Sequence, residues 1–406
     1  MNKPDIRFNG FDEEWEEKNY KEVFDTSVSN NTFSRAELTS EKTSTKNVHY
    51  GDILIKYNSI LSVKKDDFPF IPDNVKVDSK NFLKNGDIVF ADTAEDETCG
   101  KAVEITDLEN ENVLAGLHTF VARPKLQFQE KYLGYFINSP AYHNQLVPYM
   151  QGTKVTSISK ANVQKTSVKY PNKAEQTKIG ELFSKIDTLI TSTQKEYDKL
   201  VALKKSMLQK MFPRPRHSEL DSEPLVPEIR FKGFTDEWVE KKLGDFCSIS
   251  IGEFVIQTKQ RKGAPYPVYN GGISNTGYYD EYNEEGCKVI ISARGANAGF
   301  VNKCASNYWA GNSCYSLGVK DSSNWIFLYH ILKQQQDDFI KSQQSANIPS
   351  VSKQQVFNTK VLMPNNREQE KIALYFDSLD NLISTQAKKI EKLKTIKNTL
   401  LGKMFV

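Results

Sequence analysis

One stretch of the chain occurs twice. It runs as AEQTKIGELFSKIDTLITSTQKEYDKLVALKKSMLQKMF from Ala174 to Phe212 and as REQEKIALYFDSLDNLISTQAKKIEKLKTIKNTLLGKMF from Arg367 to Phe405, a spacing of 193 residues without a gap. In the first copy Ile179, Ile186, Leu200 and Met207 hold one heptad position, and Leu182, Leu189 and Leu203 fall three residues further on. The second copy keeps the register with Ile372, Leu379, Leu393 and Leu400, and with Leu382 and Ile396. This pattern predicts two long helices, each with an apolar seam. Asn172 and Asn365 each follow a proline and precede Glu175 and Glu368 by three residues, a capping-box spacing that sets the helix starts. Pro213 stops the first helix. At about 1.5 Å per residue each would be a rod of roughly 58 Å, and a rod with one apolar seam needs a partner. The obvious partner is its own repeat.

The duplication extends beyond the helices. PDIRFNGFDEEWEEK, Pro4 to Lys18, returns as PEIRFKGFTDEWVEK, Pro227 to Lys241, at a spacing of 223 residues, so the first copy holds 30 more residues between box and helix. Phe8, Gly10, Phe11 and Trp15, matched by Phe231, Gly233, Phe234 and Trp238, read as a packing anchor, because the box carries neither a nucleophile nor a metal-ligand set. Asp25 to Gln151 and Ser248 to Gln344 are variable regions, with β-type runs such as DILI (52–55), DIVFA (87–91) and KVIISA (288–293) between turn residues. Traces of the repeat survive there: LAGLHTF (114–120) matches WAGNSCY (309–315), and NGDIVFAD (85–92) matches EGCKVIIS (285–292). The proline-rich segment from Pro213 to Val226 reads as a linker.

With 406 residues, 38% of them apolar, the chain can bury two cores. Five cysteines without a C-x-x-C pair read as reduced thiols. No apolar run reaches membrane-spanning length, and the expectation is a cytoplasmic protein with no membrane partner. The net charge of +3 says little, but its distribution says more. Asp25 to Gln151 holds 13 Lys and Arg against 18 Asp and Glu, whereas Gly152 to Lys173 holds five lysines and no acid. The matching stretch Ser345 to Asn366 has Lys353 and Lys360, again without an acid. Two acid-free stretches at equivalent places point to a polyanion, with Lys154, Lys160, Lys165, Lys169 and Lys353 as candidate phosphate contacts, joined by Lys46 in the first variable region.

Catalytic motifs are missing from the sequence. No proline follows another, which removes the N/D-P-P-Y/F element of amino-methyltransferases, and there is no Walker A loop, G-x-S-x-G elbow or H-E-x-x-H helix. Asp73, Asp78 and Lys80 loosely match a metal-dependent nuclease pattern, but two carboxylates five residues apart in a turn-rich stretch read better as a solvated loop. What remains are polar loops able to read bases. Gln257, Lys259, Arg261 and Lys262 lie in QTKQRKG, Asn270 and Asn275 in YNGGISNTGYY, and Arg294 and Asn297 in ARGANAG. Arginine pairs with guanine, and Asn or Gln pairs with adenine.

The order of these parts is F-x-G-F-x-x-E-W box, variable region, S-I-S-K (157–160) or S-V-S-K (350–353) lead-in, E-Q-x-K-I helix start, K-M-F helix end, then the whole again. It resembles the specificity subunit of Type I restriction-modification systems. The resemblance implies an α+β protein: two mixed α/β target-recognition domains related by pseudo-two-fold symmetry and separated by an antiparallel coiled coil of two long helices. The corresponding boundaries are 1–171 and 227–364 for the domains, 172–212 and 365–406 for the helices, and 213–226 for the linker. It further implies a non-catalytic subunit that reads a bipartite site on double-stranded DNA and binds no cofactor itself. Two modification subunits with S-adenosylmethionine and two restriction subunits using ATP and Mg would supply methylation of adenine and cleavage. The competing reading is a structural coiled-coil scaffold whose end domains bind proteins. Thr193 and Gln386 are counterparts at mid-helix, polar in a seam position, and are expected to face each other where antiparallel helices cross.

Overall fold

The computed structural model describes residues 3–213, 226–342 and 348–406. It divides into two compact units, Met1–Gln194 with Lys388–Val406, and Lys195–Ala387. Nearly all of the inter-helix linker lies outside the described residues. The repeated stretches are helices, Lys173–Met211 of 39 residues and Asn366–Lys403 of 38. Each unit takes the N-terminal part of one and the C-terminal part of the other. Within unit 1 Ile179, Phe183 and Ile186 share a core with Leu401, Met404 and Phe405, and within unit 2 Ile372, Phe376 and Leu379 share one with Met211 and Phe212. A helix start packed on a helix end makes the paired segments antiparallel in each unit.

The reasons for the helix boundaries repeat side chain by side chain. Asn172 and Asn365 accept the backbone N–H of Glu175 and Glu368, both at 3.0 Å. The two glutamates do not complete a capping box. Glu175 takes a two-pronged ion pair from Arg7 at 2.7 Å, and Glu368 takes one from Arg230 at 2.7 and 2.8 Å, so the carboxylates tie the box to the helix instead. The next residue also bridges. Gln176 donates to the Pro171 carbonyl and accepts the Gln129 N–H, while Gln369 donates to Pro364 and accepts the Asn324 N–H. The box clamps a helix end as well. Ile6 N–H donates to the Lys403 carbonyl at 2.9 Å and Ile229 N–H to Lys210 at 3.0 Å, satisfying carbonyls that a helix terminus leaves open. Trp15 and Trp238, 2% and 1% exposed, lie edge-on against Phe405 and Phe212 with centroids 6.2 Å apart in both units. Gly10 and Gly233 sit at φ +88° and +92°, which explains the glycine in each box.

The heptad seam is buried only in part. Ile179, Ile186, Ile372 and Leu379 are at most 7% exposed, but Leu189, Leu203, Leu382 and Ile396 are 48%, 39%, 50% and 39% exposed. Phe183 and Phe376, fully buried, take the inward places that the second heptad position was expected to fill. They lie four residues after Ile179 and Ile372, where Phe183 meets Phe405 and Tyr135, and Phe376 meets Phe212 and His330, so they pack on the end of the other helix and on the domain together.

Each variable region is built on one antiparallel frame. In unit 1 the strand order is Phe24–Asp25, Thr119–Pro124, Ile88–Ala91, Ala102–Thr106, with Ile60–Ser62 added in parallel at the edge. In unit 2 the order is Cys247–Ile251, Cys314–Val319, Lys288–Ser292, Val301–Cys304. The strand leading into each long helix, Ser167–Tyr170 or Lys360–Met363, pairs with the strand closing the box, Glu16–Asn19 or Val239–Lys242. Two expectations are corrected here. The DILI run lies in a helix, Tyr50–Ile55, started by His49, whose Nδ1 accepts the Gly51 N–H. The match of NGDIVFAD to EGCKVIIS slips by one residue: Ala91 N–H bonds to Lys101 as Ser292 N–H bonds to Phe300, so Gly86 at φ +85° corresponds to Cys287 at φ +60°. All five cysteines are free. No helix of the described residues is long and apolar enough to cross a membrane.

Candidate nucleic-acid interface

The lead-in segments dock at one place in both units. Ile158 N–H bonds to the Asp92 carbonyl and Val351 N–H to the Ala293 carbonyl, each at 2.9 Å, just past the end of a central strand. The second serine of each S-x-S-K is an N-cap: Ser159 Oγ accepts the Asn162 N–H and Ser352 Oγ accepts the Gln355 N–H, each at 3.2 Å. Lys160 and Lys353 are therefore the first residues of short helices, Lys160–Val163 and Lys353–Asn358.

In unit 2 four loops converge at this point. Asn270 Oδ1 accepts the Ser313 N–H at 3.1 Å, Ala293 N–H reaches the Ser313 carbonyl at 2.7 Å, and Gly295 N–H reaches Pro349 at 3.0 Å. Ser292 Oγ donates to the Gly272 carbonyl at 3.0 Å. The result brings together the loops that carry Asn270, Asn275, Arg294 and Asn297 and the lead-in that carries Lys353. Arg294, Asn297 and Lys353 are exposed, whereas Asn270 is spent on holding the loops and Asn275 donates weakly to Gly277 at 3.4 Å. The loop with Gln257, Lys259, Arg261 and Lys262 lies along strand Gly277–Tyr279, where Arg261 N–H bonds to Tyr278. There Lys259 pairs with Glu281 at 2.6 Å and Arg261 with Asp280, and Gln257, Lys259, Arg261 and Lys262 are all exposed.

The lysines of unit 1 are mostly engaged with their own chain. Lys46 donates to the Val63 carbonyl at 2.6 Å and lies over the Phe68 ring, and burial lowers its pKa. Lys160 donates to the Thr26 carbonyl at 2.7 Å, Lys165 to Asn162 at 2.8 Å over the Tyr149 ring, and Lys169 stands 4.0 Å from Glu17. Lys154 is exposed. Asp73 and Asp78 are turn-holding residues, accepting the N–H groups of Ser44 and Lys80 at 3.0 Å. Among the described residues no group of three or more His, Cys, Asp or Glu could hold a metal ion.

Sequence reasoning missed a second polar group in unit 1. His118, at φ +53°, stands where unit 2 has Ser313, with Nδ1 3.4 Å from Asp92 Oδ1. Tyr50 lies edge-on to it at 5.3 Å, and Asn30 and Asn31 bond to the carbonyls of Gly116 and Ala115 in the same loop. The match of LAGLHTF to WAGNSCY located the loop, but nothing in it showed which side chain the fold would set against Asp92.

Two units of one frame with divergent loops are the architecture of a duplicated recognition protein. The model of the type I restriction modification DNA specificity domain matches residues 12–202 and 235–395, and the chain belongs to this family. A relative from Methanocaldococcus jannaschii, named as the MjaX specificity subunit of a type I restriction enzyme, is 23% identical over 96% of this chain and 92% of its own length. The crystal structure of the S subunit of a type I restriction-modification system from M. genitalium covers 100% of this chain and 99% of its own, with a TM-score of 0.68 at 19% identity. A chain from a study of complex assembly and conformational transition of the type I R-M system covers 97% and 98%, with a TM-score of 0.51 at 17% identity.

Proposed function

We propose that this chain reads a bipartite site on double-stranded DNA, one half-site for each unit, and directs adenine methylation or restriction by its partners. The observation that carries the reading is the pairing of a shared strand order with unlike loops around equivalent lead-in segments. A fixed frame with variable loops keeps assembly constant while the recognised bases change. In this reading the chain is the non-catalytic member of a cytoplasmic complex, with S-adenosylmethionine on two modification subunits and ATP and Mg on two restriction subunits.

The exposed apolar helix positions support partners in pairs. Unit 1 presents Leu189 and Ile396, and unit 2 presents their repeats Leu382 and Leu203. Two equivalent pairs of exposed apolar side chains suit two copies of one modification subunit. Lys154, Lys262, Arg294 and Lys353 are exposed cations of the interface and supply phosphate contacts or guanine recognition. The test is a methylation map. With modification subunits and S-adenosylmethionine the chain should direct methyl groups to adenines in one two-part sequence, and the chain alone should transfer none. Methylation by the isolated chain would overturn the reading.

A further inference from the structure

Equivalent loops of the two units carry opposite hydrogen-bonding chemistry. Past the central strand unit 2 continues Arg294-Gly295-Ala296-Asn297, whereas unit 1 continues through Thr93 with Glu95, Asp96 and Glu97 exposed. Gly100 and Gly299, both at φ +84°, close these loops in the same way, each donating its N–H to the strand it follows, at Ala91 and Ser292. On the neighbouring loop unit 1 has His118 where unit 2 has Ser313.

His118 is held from two sides. Its carbonyl accepts the Asp92 N–H at 3.1 Å, and its Nδ1 stands 3.4 Å from Asp92 Oδ1, while its side chain remains 47% exposed. Tyr50 backs the ring edge-on, and the tilted ring of His49 backs Tyr50 at 4.8 Å. In the tautomer with its proton on Nδ1, toward Asp92, the neutral ring presents Nε2 as an acceptor. An acceptor backed by Tyr50 on an exposed loop complements a base edge that donates. In the major groove the donors are the 4-amino group of cytosine and the 6-amino group of adenine.

We propose that His118 is a specificity-determining residue of unit 1, reading the exocyclic amino group of a cytosine or an adenine, with Asp92 as its positioning residue. The proposal rests on the DNA-reading function above. It gives the two units opposite preferences on neighbouring loops of one frame, since Arg294 in unit 2 suits the acceptors of guanine.

The experiment uses the full chain assembled with its modification subunits and duplexes varied one base pair at a time. His118→Gly removes the ring and tolerates φ +53°. It should cut discrimination at one base pair of one half-site about tenfold and leave the other half-site unchanged. Replacing the target adenine by purine, or the target cytosine by 2-pyrimidinone, removes the amino group. That replacement should weaken the wild type by a similar factor and leave His118→Gly indifferent, and Asp92→Asn should lower discrimination with His118 in place. The proposal fails if His118→Gly keeps every base preference, or if the preference it loses is for a guanine. Should the wild-type assembly bind all sequences alike, the DNA-reading function itself fails and the proposal with it, whereas a selective wild type with a silent His118→Gly sinks the proposal alone.

Discussion

His330 is a buried ring, 0% exposed, and neither of its nitrogens has a hydrogen-bond partner among the described residues. Burial, helped by the ammonium groups of Lys204 and Lys303, pulls its pKa down to about 2, and Asp380, 4.0 Å away, does not reverse this. The folded ring is neutral, while a histidine of the unfolded chain takes up a proton as pH falls through about 6.5. The unfolded state then binds more protons, so this stability is present above pH about 6.5 and lost below it, by up to about 1.4 kcal/mol per pH unit. His330→Phe should flatten the acid limb of thermal unfolding, and equal slopes in wild type and variant would contradict this account. Tyr135 is the counterpart in unit 1 and solves the site differently, donating to Asp187 at 2.9 Å. Glu104 and Lys303 likewise share one frame position with opposite charge: Glu104 accepts the N–H groups of Lys131 and Gly134, and Lys303 reaches Asp377 and Asp380. Burial lifts Glu104 to about 7. None of this was legible in the sequence, where His330, Glu104 and Lys303 look like ordinary polar residues. Burial and partner choice belong to the tertiary frame, which a local pattern does not encode.

At the scale of elements the repeat was legible because it is a pattern of spacing. The helix starts, the box and the strand runs at 87–91 and 288–293 follow from capping, aromatic and β-branched signals. The seam was half right, since heptad spacing reports apolar positions and not which neighbour covers them. Phe183 and Phe376 are covered by the end of the other helix and by the domain together, and Leu189 and Leu382 are left exposed. The role of the glutamates was not readable, because the three-residue spacing of a capping box also fits a helix start whose carboxylate serves a distant arginine. Glu368 is 0% and Arg230 12% exposed at the side chain, so Arg230→Ala strands a buried charge. It should destabilise unit 2 by about 3 kcal/mol, and Arg230→Ala with Glu368→Gln should recover much of that. Urea unfolding of the four chains in the cycle measures it, and additive losses would show that the two residues do not act as a pair.

At the scale of the whole molecule, we propose that the long helices set the distance between the half-sites, about 10 base pairs or one turn of DNA. Four residues inserted after both Thr193 and Gln386 should lengthen the gap and leave the half-site sequences intact. An unchanged gap in the methylation map would remove the helices as the ruler. The organisation into two repeated units was readable from the two spacings of 193 and 223 residues, but the bases read were not, because their contacts lie in loops that the repeat does not share. The central claim is that each unit reads its own half-site. Its most direct test replaces Ser248 to Gln344 with the matching region of a relative of different target and maps methylated adenines. One half of the recognised sequence should change while the other half and the gap stay as they were, and a change in both halves, or in neither, would contradict the account.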